Sequence, residues 1–150
     1  MRKNKKKPPL VSIILNCYNS AKFLKKSIKS VIFQSYKNWE LIIFDNCSSD
    51  NTKSEILKFK KNKKIKYFRS KKFYSLYNAR NLAIKKTKGS LISFLDADDW
   101  WSKNKLKKQV EFLELNKEYN IVSILDIKEN YNSVVNNVRV DGTEHDIKKI

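Results

Sequence analysis

Three carboxylates within four residues are the strongest chemical signal in the sequence. Asp96, Asp98 and Asp99 are three of only 15 acidic residues in a 150-residue chain with a formal net charge of +18. Carboxylates this close repel one another unless a positive charge lies between them, and Mg²⁺ or Mn²⁺ commonly binds one or two carboxylates together with phosphates and water. The same residues would also favour the N-terminus of a following helix. Taken alone, the cluster indicates a metal site and a helix start equally well.

A second polar segment follows an apolar run in the same way. Asp45 and Asn46 come directly after the run 39–44. A carboxylate there can accept hydrogen bonds from a nucleobase, and an amide can both donate and accept. Asp and Asn side chains also form turns with their own backbone, so base recognition and a turn are equally good interpretations of this segment.

A third polar segment, with Asn16, Tyr18 and Asn19, follows the first apolar run. Its side chains could line a base or ribose pocket, with the Tyr18 ring as a wall, or they could cap the next helix. Further along the chain, Arg80 could bind a phosphate. In isolation, a solvated helix arginine is the simpler interpretation of that residue.

The elements that must position these residues follow from the apolar periodicity. Short apolar runs alternate with amphipathic segments, which predicts an α/β fold with a mostly parallel sheet and helices on both faces. Ligands of such sheets bind at the carboxyl ends of the strands, where the polar segments would share one rim. The predicted strands span 10–15, 39–44, 65–68, 91–95, 121–125 and 134–140, and the predicted helices span 21–33, 54–60, 74–86 and 103–115, the third of them ended by Gly89. We expect one domain over 10–150, after a basic N-terminal tail over 1–9.

Several function classes are excluded by composition. With only two glycines, the chain can form neither a GxGxxG turn nor a P-loop, so a bound diphosphate must be held by a metal ion and side chains. Cys17 and Cys47 are too few for a disulfide framework and lack the spacing of zinc ligands. No apolar run approaches the ~20 residues of a membrane-spanning helix, and the N-terminus does not match a secretory signal. A cytoplasmic location is therefore expected.

The positive charge is spread along the chain and does not form one block. Lysines greatly outnumber arginines, although arginine is the better reader of bases and phosphates. We therefore expect no nucleic-acid partner. Peripheral attachment to an anionic membrane surface is a secondary expectation from the same charge.

The ordered set of motifs resembles family 2 glycosyltransferases from about residue 10 to residue 126. Residues 11–19 resemble the opening V-S-[IV]-I-x-x-x-Y-N strand of that family, and residues 27–36 resemble its S-[IV]-x-x-Q-[ST]-[YF] helix end. Residues 39–52 are similar to its strand and D-D-x-S-x-D-x-[ST] turn, residues 78–83 to its A-R-N-x-[AG] segment, and residues 91–99 to its F-L-D-A-D-D box.

This resemblance implies a Rossmann-like GT-A fold, a nucleotide-diphosphate-sugar donor (UDP-sugar by preference) and an Mg²⁺ or Mn²⁺ ion. It also implies an inverting transfer to a glycan or lipid-linked acceptor in surface polysaccharide biosynthesis. Asp98 is the expected metal ligand, with Asp96 as the second. The residues expected to bind the donor are Asn16, Tyr18, Asn19, Asp45, Asn46, Arg80, Asp96 and Ala97.

Three departures from the family pattern bear on function. Asn46 stands where the family has a second acid, which weakens the expected base contact, and Cys17 and Cys47 replace small residues. The family places its general base and acceptor site well beyond the D-x-D segment, so we expect the base beyond Ile150 and cannot assign a catalytic residue here. The alternative is a truncated half-domain that binds donor without transferring sugar.

Overall fold

Four parallel strands form the central sheet of the computed structural model, which describes residues 7–119. The strands are β1 (Val11–Cys17), β2 (Trp39–Asp45), β3 (Ile65–Arg69) and β4 (Leu91–Asp96), and the helices are α1 (Ala21–Ile32), α2 (Thr52–Leu57), α3 (Leu76–Ile84) and α4 (Lys105–Leu115). The predicted strands over 121–125 and 134–140 lie outside the described residues, and the division into tail and domain stays a prediction.

The strand order β3-β2-β1-β4 places β1 at the centre of this sheet. In the register, Asn16 of β1 lies beside Asp96 of β4, and Cys17 lies beside Asp45 of β2. Because all pairs are parallel, these polar strand ends lie at one edge of the sheet. The α/β prediction with a parallel sheet is confirmed.

Both faces of the sheet are covered by helices, because successive side chains of a strand point to opposite faces. On one face, Leu15, Leu41 and Leu95 of the strands pack in the same cluster as α1 and α4. On the other face, Ile14 and Ile42 lie in a smaller cluster with the small residues of α3, Ala79 and Ala83. Small residues let α3 approach the sheet closely, and α3 thereby brings Arg80 to the carboxyl edge.

The strands reach further than the apolar runs indicate. The prediction ended the first, second and fourth strands before Asn16, Asp45 and Asp96, whereas each of these residues belongs to its strand. Backbone pairing continues through a polar side chain when its neighbours supply ladder hydrogen bonds. The candidate residues are therefore held by the sheet itself.

Gly89 does not end α3, and this prediction was wrong. The helix ends at Ile84 with Lys85 as its C-cap, and Gly89 donates its N–H to the Ser12 hydroxyl (2.8 Å). A Cβ at position 89 would lie 2.5 Å from the Leu10 carbonyl oxygen. The position requires glycine because the backbone crosses the start of β1 at close range.

A buried carboxylate ties the opposite, amino-terminal half of the sheet together. Glu40 is 6% exposed and accepts hydrogen bonds from the Ser12 hydroxyl (2.7 Å), the Lys88 N–H (2.6 Å) and the Lys66 ammonium (2.5 Å). Burial alone would raise the pKa of Glu40, but these hydrogen bonds and the charge of Lys66 outweigh it and hold the pKa below the ordinary 4.5. The ionised form is the one that the fold uses.

Among residues 7–119, no helix combines the length and the apolar character that crossing a membrane would require.

Candidate functional site

A cleft of about 380 Å³ opens at the carboxyl edge of the sheet, between the end of β4, the β1–α1 loop and the start of α3. Seven of the nine residues singled out from the sequence line it: Asn16, Tyr18, Asn19, Arg80, Asp96, Ala97 and Asp98. Asp45 and Asn46 do not. A larger cavity of about 670 Å³ elsewhere contains none of these residues in its lining, so the chemistry is concentrated in the smaller cleft.

The amide of Asn16 has unused hydrogen-bonding capacity at the border of the cleft. Its Nδ2 and Oδ1 atoms are both buried, and neither has a hydrogen-bond partner within residues 7–119. A buried polar group without a partner costs about 1–3 kcal/mol, and most such groups in proteins are satisfied. Asn16 borders the cleft, where a polar ligand or water can supply the missing donor and acceptor.

Asp96 and Arg80 form an ion pair across the cleft. The Arg80 Nη2 lies 2.9 Å from Asp96 Oδ1, and the guanidinium lies 5.3 Å from the centre of the Phe94 ring. Asp96 is 61% exposed at its side chain, so water screens the pair and its net stabilisation is small. Arg80 is therefore a partly solvated helix arginine that is paired with Asp96, and phosphate binding by Arg80 stays a prediction.

The acidic turn after β4 is held in place by α1. The buried Ser27 hydroxyl lies 2.6 Å from the carbonyl oxygens of both Ala97 and Asp99, and it shares its hydrogen between these two acceptors. These carbonyls flank Asp98 on both sides. The backbone that carries Asp98 is thereby fixed, while the Asp98 side chain stays exposed at the cleft.

The interpretation of this cluster as a helix start is wrong. The next helix, α4, begins at Lys105 with Asn104 as its N-cap, and its first turn contains no acid. The intervening loop is anchored by Gln34 of α1, which donates to the Ser102 carbonyl (2.7 Å) and accepts from the Leu106 N–H (3.0 Å). The acidic turn is thus part of a fixed loop, and its carboxylates lie several residues before the N-terminus of α4.

Asn19 joins the two loops that border the cleft. It adopts a left-handed backbone (φ 47°), and its Oδ1 accepts from the N–H groups of Ser49 (2.8 Å) and Asp50 (3.3 Å). The N-cap residue of α1 is Ser20, so Asn19 does not cap this helix. Its Oδ1 is already engaged, and a donor-binding role for Asn19 stays a prediction.

Tyr18 forms one wall of the cleft, as the sequence indicated. Its ring is half exposed and meets the ring of Phe73 edge to face, with 4.8 Å between centroids. An aromatic wall of this kind offers a stacking surface to a planar base. Phe73 was not singled out from the sequence, because only the fold brings the segment after β3 beside the β1–α1 loop.

Asp45 is a buried structural group beside the cleft. It is fully buried; its Oδ2 accepts from the Tyr67 hydroxyl (2.8 Å), and its Oδ1 accepts from the Ser48 N–H (2.8 Å). The Arg69 guanidinium adds a longer ion pair at 3.7 Å. Burial and the hydrogen bond to Asp45 both raise the pKa of Tyr67, so this phenol remains a proton donor. The turn interpretation has a clear basis, and base contact by Asp45 stays a prediction.

Asn46 clamps the segment that carries Phe73. Its Nδ2 donates to the Tyr74 carbonyl (2.8 Å), and its Oδ1 accepts from the Tyr74 N–H (3.0 Å). An amide can donate to and accept from the same residue's backbone, which an ionised carboxylate cannot do. Base contact by Asn46 likewise stays a prediction.

The two unusual cysteines show no sign of reactivity at the site. Cys17 is buried in the core, and burial, with smaller contributions from the charges of Asp45 and Asp50, raises the pKa of its thiol. Cys47 has a left-handed backbone (φ 68°), and its thiol lies 3.9 Å from the Lys71 carbonyl oxygen. Both are free thiols.

The residues present fit a divalent ion that a phosphate ligand completes. Among residues 7–119, no group of three or more acidic, histidine or cysteine side chains is placed to hold a metal. The cleft instead offers two exposed carboxylates, Asp96 and Asp98. Mg²⁺ often binds through one or two carboxylates together with substrate phosphates, so this donor set suits an ion that arrives with a diphosphate.

Three further residues of the lining were not expected from the sequence: Ser20, Phe23 and Leu76. Phe23 and Leu76 fit the apolar spacing of their helices and so resemble core positions. In the structure both are exposed large apolar side chains. Exposure at a cleft is a tertiary property, and no local pattern marks it.

The parallel sheet, with helices on both faces and a polar cleft at its carboxyl edge, matches the GT-A fold of solved glycosyltransferase structures. The chain belongs to glycosyl transferase family 2, whose model matches residues 12–148. The resemblance drawn from the motifs is therefore confirmed.

Bacterial cell-surface glycosyltransferases are among the similar proteins. The putative teichuronic acid biosynthesis glycosyltransferase TuaG of Bacillus subtilis is 38% identical over 106 residues, which cover 70% of this chain and 42% of TuaG. An Escherichia coli glucosyltransferase acting on GlcNAc-diphosphoundecaprenol, WfgD, is 42% identical over 69% of this chain and 41% of its own. The chain thus spans about two fifths of these relatives.

Among solved structures, Staphylococcus aureus TarS (residues 1–349) in complex with UDP-GlcNAc superposes with a TM-score of 0.68. It is 26% identical, and the match covers 71% of this chain and 32% of TarS 1–349.

Proposed function

We propose that this chain forms the donor-binding portion of an inverting glycosyltransferase that uses a UDP-sugar. The transfer is to a glycan or lipid-linked acceptor in surface polysaccharide biosynthesis. The observation that carries the proposal is the unsatisfied, buried amide of Asn16 in the same cleft as the exposed carboxylates Asp96 and Asp98. Support for UDP comes from the TarS complex with UDP-GlcNAc, and support for the acceptor class comes from the name of WfgD.

The donor would lie across the cleft from the aromatic wall to the acidic turn. Tyr18 would flank the base, with Asn16 beneath it. Asp45 and Asn46 would lie beside the base, next to the segment after β3 that carries Phe73. Arg80 and Asp96 would hold the ribose or sugar end beside Ala97. Asp98, with Asp96 as the second ligand, would hold Mg²⁺ or Mn²⁺.

For such a transfer, the protein must above all stabilise the negative charge that develops on the leaving diphosphate. A bound divalent ion offsets charge that develops on a leaving group. Arg80, paired with Asp96, supplies a positive charge in the cleft lining, while Ser27 keeps the Asp98 backbone in place. Inversion further requires a base within reach of the acceptor hydroxyl.

The second candidate is a half-domain that binds donor without transfer. Transfer of radiolabelled sugar from UDP-sugar by the chain decides between the two candidates. Turnover that depends on Asp98 would exclude the half-domain, and donor binding without turnover would support it.

Location and partners follow from the same proposal. We propose a cytoplasmic protein that works at the inner face of the membrane, with the nucleotide sugar and a lipid-linked glycan as partners and no nucleic acid.

Isothermal titration with UDP tests donor binding directly. We expect binding in the presence of Mn²⁺ and at least tenfold weaker binding when EDTA removes the metal, because the diphosphate and the two carboxylates then repel one another. Adenosine and guanosine diphosphates under the same conditions report base selectivity. A chain that is folded by circular dichroism and binds none of these diphosphates would refute the proposal.

A further inference from the structure

The outward side of α1 carries lysines and aromatic rings in place of a mixed charged surface. Within Ala21–Ile32 there is no acidic residue, and the lysines on the outward side are exposed. Phe33 at the helix end is 64% exposed, and Trp100 on the neighbouring acidic turn is 56% exposed. We call the following set the α1 face: Lys22, Phe23, Lys26, Lys29, Phe33 and Trp100.

These lysines are not neutralised within the described residues. No carboxylate between residues 7 and 119 forms an ion pair with Lys22, Lys26 or Lys29. Two of these lysines lie against rings: the Lys26 ammonium is 2.8 Å from the centroid of the Trp100 ring, and the Lys22 ammonium is 5.7 Å from that of Phe23. The α1 face therefore presents uncompensated positive charge and apolar rings together.

A surface that combines lysines with exposed aromatic rings is better suited to contact with the interface of a lipid bilayer than to full exposure to water. Aromatic rings settle at the level of the headgroups, and lysines extend their ammonium groups to the phosphates while their stems stay in apolar surroundings. The apolar face of α1 packs on the sheet, so the attraction to an anionic leaflet would come from the surface cluster of lysines, with the exposed rings beside them at the interface. A double-stranded nucleic acid would use the lysines, but its bases are stacked within the duplex and would leave Phe33 and Trp100 without a partner.

The α1 face lies beside the mouth of the cleft. Phe23 belongs to both, and Trp100 follows directly on the acidic turn that carries Asp98. We propose that the α1 face docks on the anionic surface of a membrane, so that the cleft opens next to lipid headgroups. The docking surface is inferred from the face alone, and only its link to a lipid-linked acceptor rests on the proposed function.

Vesicle co-sedimentation with the full chain tests the docking. Vesicles of phosphatidylglycerol and phosphatidylcholine should bind the protein, and vesicles of phosphatidylcholine alone should not. The triple variant Lys22→Gln/Lys26→Gln/Lys29→Gln should bind about 100-fold more weakly, since each lysine near an anionic surface contributes about fivefold. Trp100→Ala should weaken binding several-fold without a change of charge.

The matched control removes the same charge elsewhere. Lys60, Lys61 and Lys63 are exposed in the α2–β3 connection, and their triple change to Gln should weaken vesicle binding far less than the α1 variant does. Equal losses in the two triple variants, no effect of Trp100→Ala, or stronger binding to double-stranded DNA than to the anionic vesicles would each overturn the proposal. Phe23 is left unchanged because it lines the cleft.

UDP titration of the same variants separates this proposal from donor binding. The triple α1 variant should keep the affinity of the unaltered chain for UDP and Mn²⁺, which also shows that it is folded. Vesicle binding without UDP binding would uphold the docking surface and refute the proposed function. UDP binding without vesicle binding would refute the docking surface and leave the proposed function standing.

Discussion

Asp45 and Asp96 end the two strands that flank β1, yet they have opposite surroundings. Asp45 is fully buried and accepts hydrogen bonds from Tyr67 and Ser48. Asp96 is 61% exposed and has one screened ion pair with Arg80. The same residue type at the same edge of a sheet serves the fold in one place and is available to a ligand in the other.

The asparagines beside them repeat this difference. Asn46 uses both ends of its amide on the Tyr74 backbone, whereas both ends of the Asn16 amide are buried without a partner in the described region. The polar groups of Asp45 and Asn46 thus have their hydrogen-bond partners within the fold. Those of Asn16 and Asp96 remain available to a ligand. The division predicts that variants of the two pairs separate stability from binding.

Removing the buried carboxylate should have the largest effect on stability. Asp45→Ala leaves the Tyr67 hydroxyl and the Ser48 N–H without their acceptor, and we expect a loss of about 3 kcal/mol in the free energy of unfolding. Asp96→Ala should cost less than about 1 kcal/mol, because its ion pair is exposed. Urea unfolding of both variants measures the difference, and equal losses would break the comparison.

The clamp at Asn46 should rank second. Asn46→Asp keeps the acceptor for the Tyr74 N–H but places a carboxylate against the Tyr74 carbonyl, so we expect a loss of about 2 kcal/mol. Asn16→Ala should not lower stability, since no hydrogen bond is lost and a buried amide without a partner is removed. A larger cost for Asn16→Ala than for Asn46→Asp would reverse the assignment of the two amides.

Glu40 is a second buried, hydrogen-bonded carboxylate, in the amino-terminal half of the sheet, and it makes the stability of the fold sensitive to acid. Its pKa is lowered on folding, so its contribution is fully present above its unfolded value near 4.5 and is lost as the pH falls through the folded value. Glu40→Gln should lower stability at pH 7 by about 1.5 kcal/mol. It should also remove part of the acid-induced loss, as measured by thermal unfolding between pH 3 and pH 7. An unaltered slope would show that other carboxyls carry the acid response.

Ser27 joins α1 to the turn that carries Asp98, and loss of its hydroxyl should have the smallest effect on stability. Ser27→Ala removes one shared hydrogen bond to the carbonyls that flank Asp98, which costs about 1 kcal/mol. Because the turn that carries Asp98 is then less constrained, affinity for UDP with Mn²⁺ should fall several-fold. Ser30→Ala, one turn further along α1, is the control and should leave this affinity unchanged.

Much of this arrangement follows from the sequence, because local patterns fix it. Alternating apolar runs indicated all four described strands and all four described helices, and the acidic turn was recognised before the fold was known. The division of the rim could not be predicted, since Tyr67 and Tyr74 reach Asp45 and Asn46 from more than 20 residues away. Gly89 was misassigned for the same reason, because a close crossing with Leu10 leaves no local signal.

Titration of UDP in the presence of Mn²⁺ against Asp98→Asn tests the central claim most directly. A matched variant, Glu111→Gln, makes the same change of charge on α4, away from the cleft lining. We predict at least a tenfold loss of affinity for Asp98→Asn, with unfolding free energies of both variants within about 1 kcal/mol of the unaltered chain, and unchanged affinity for Glu111→Gln. Unchanged affinity in Asp98→Asn, or an equal loss in both variants, would contradict the assignment of the acidic turn to donor binding.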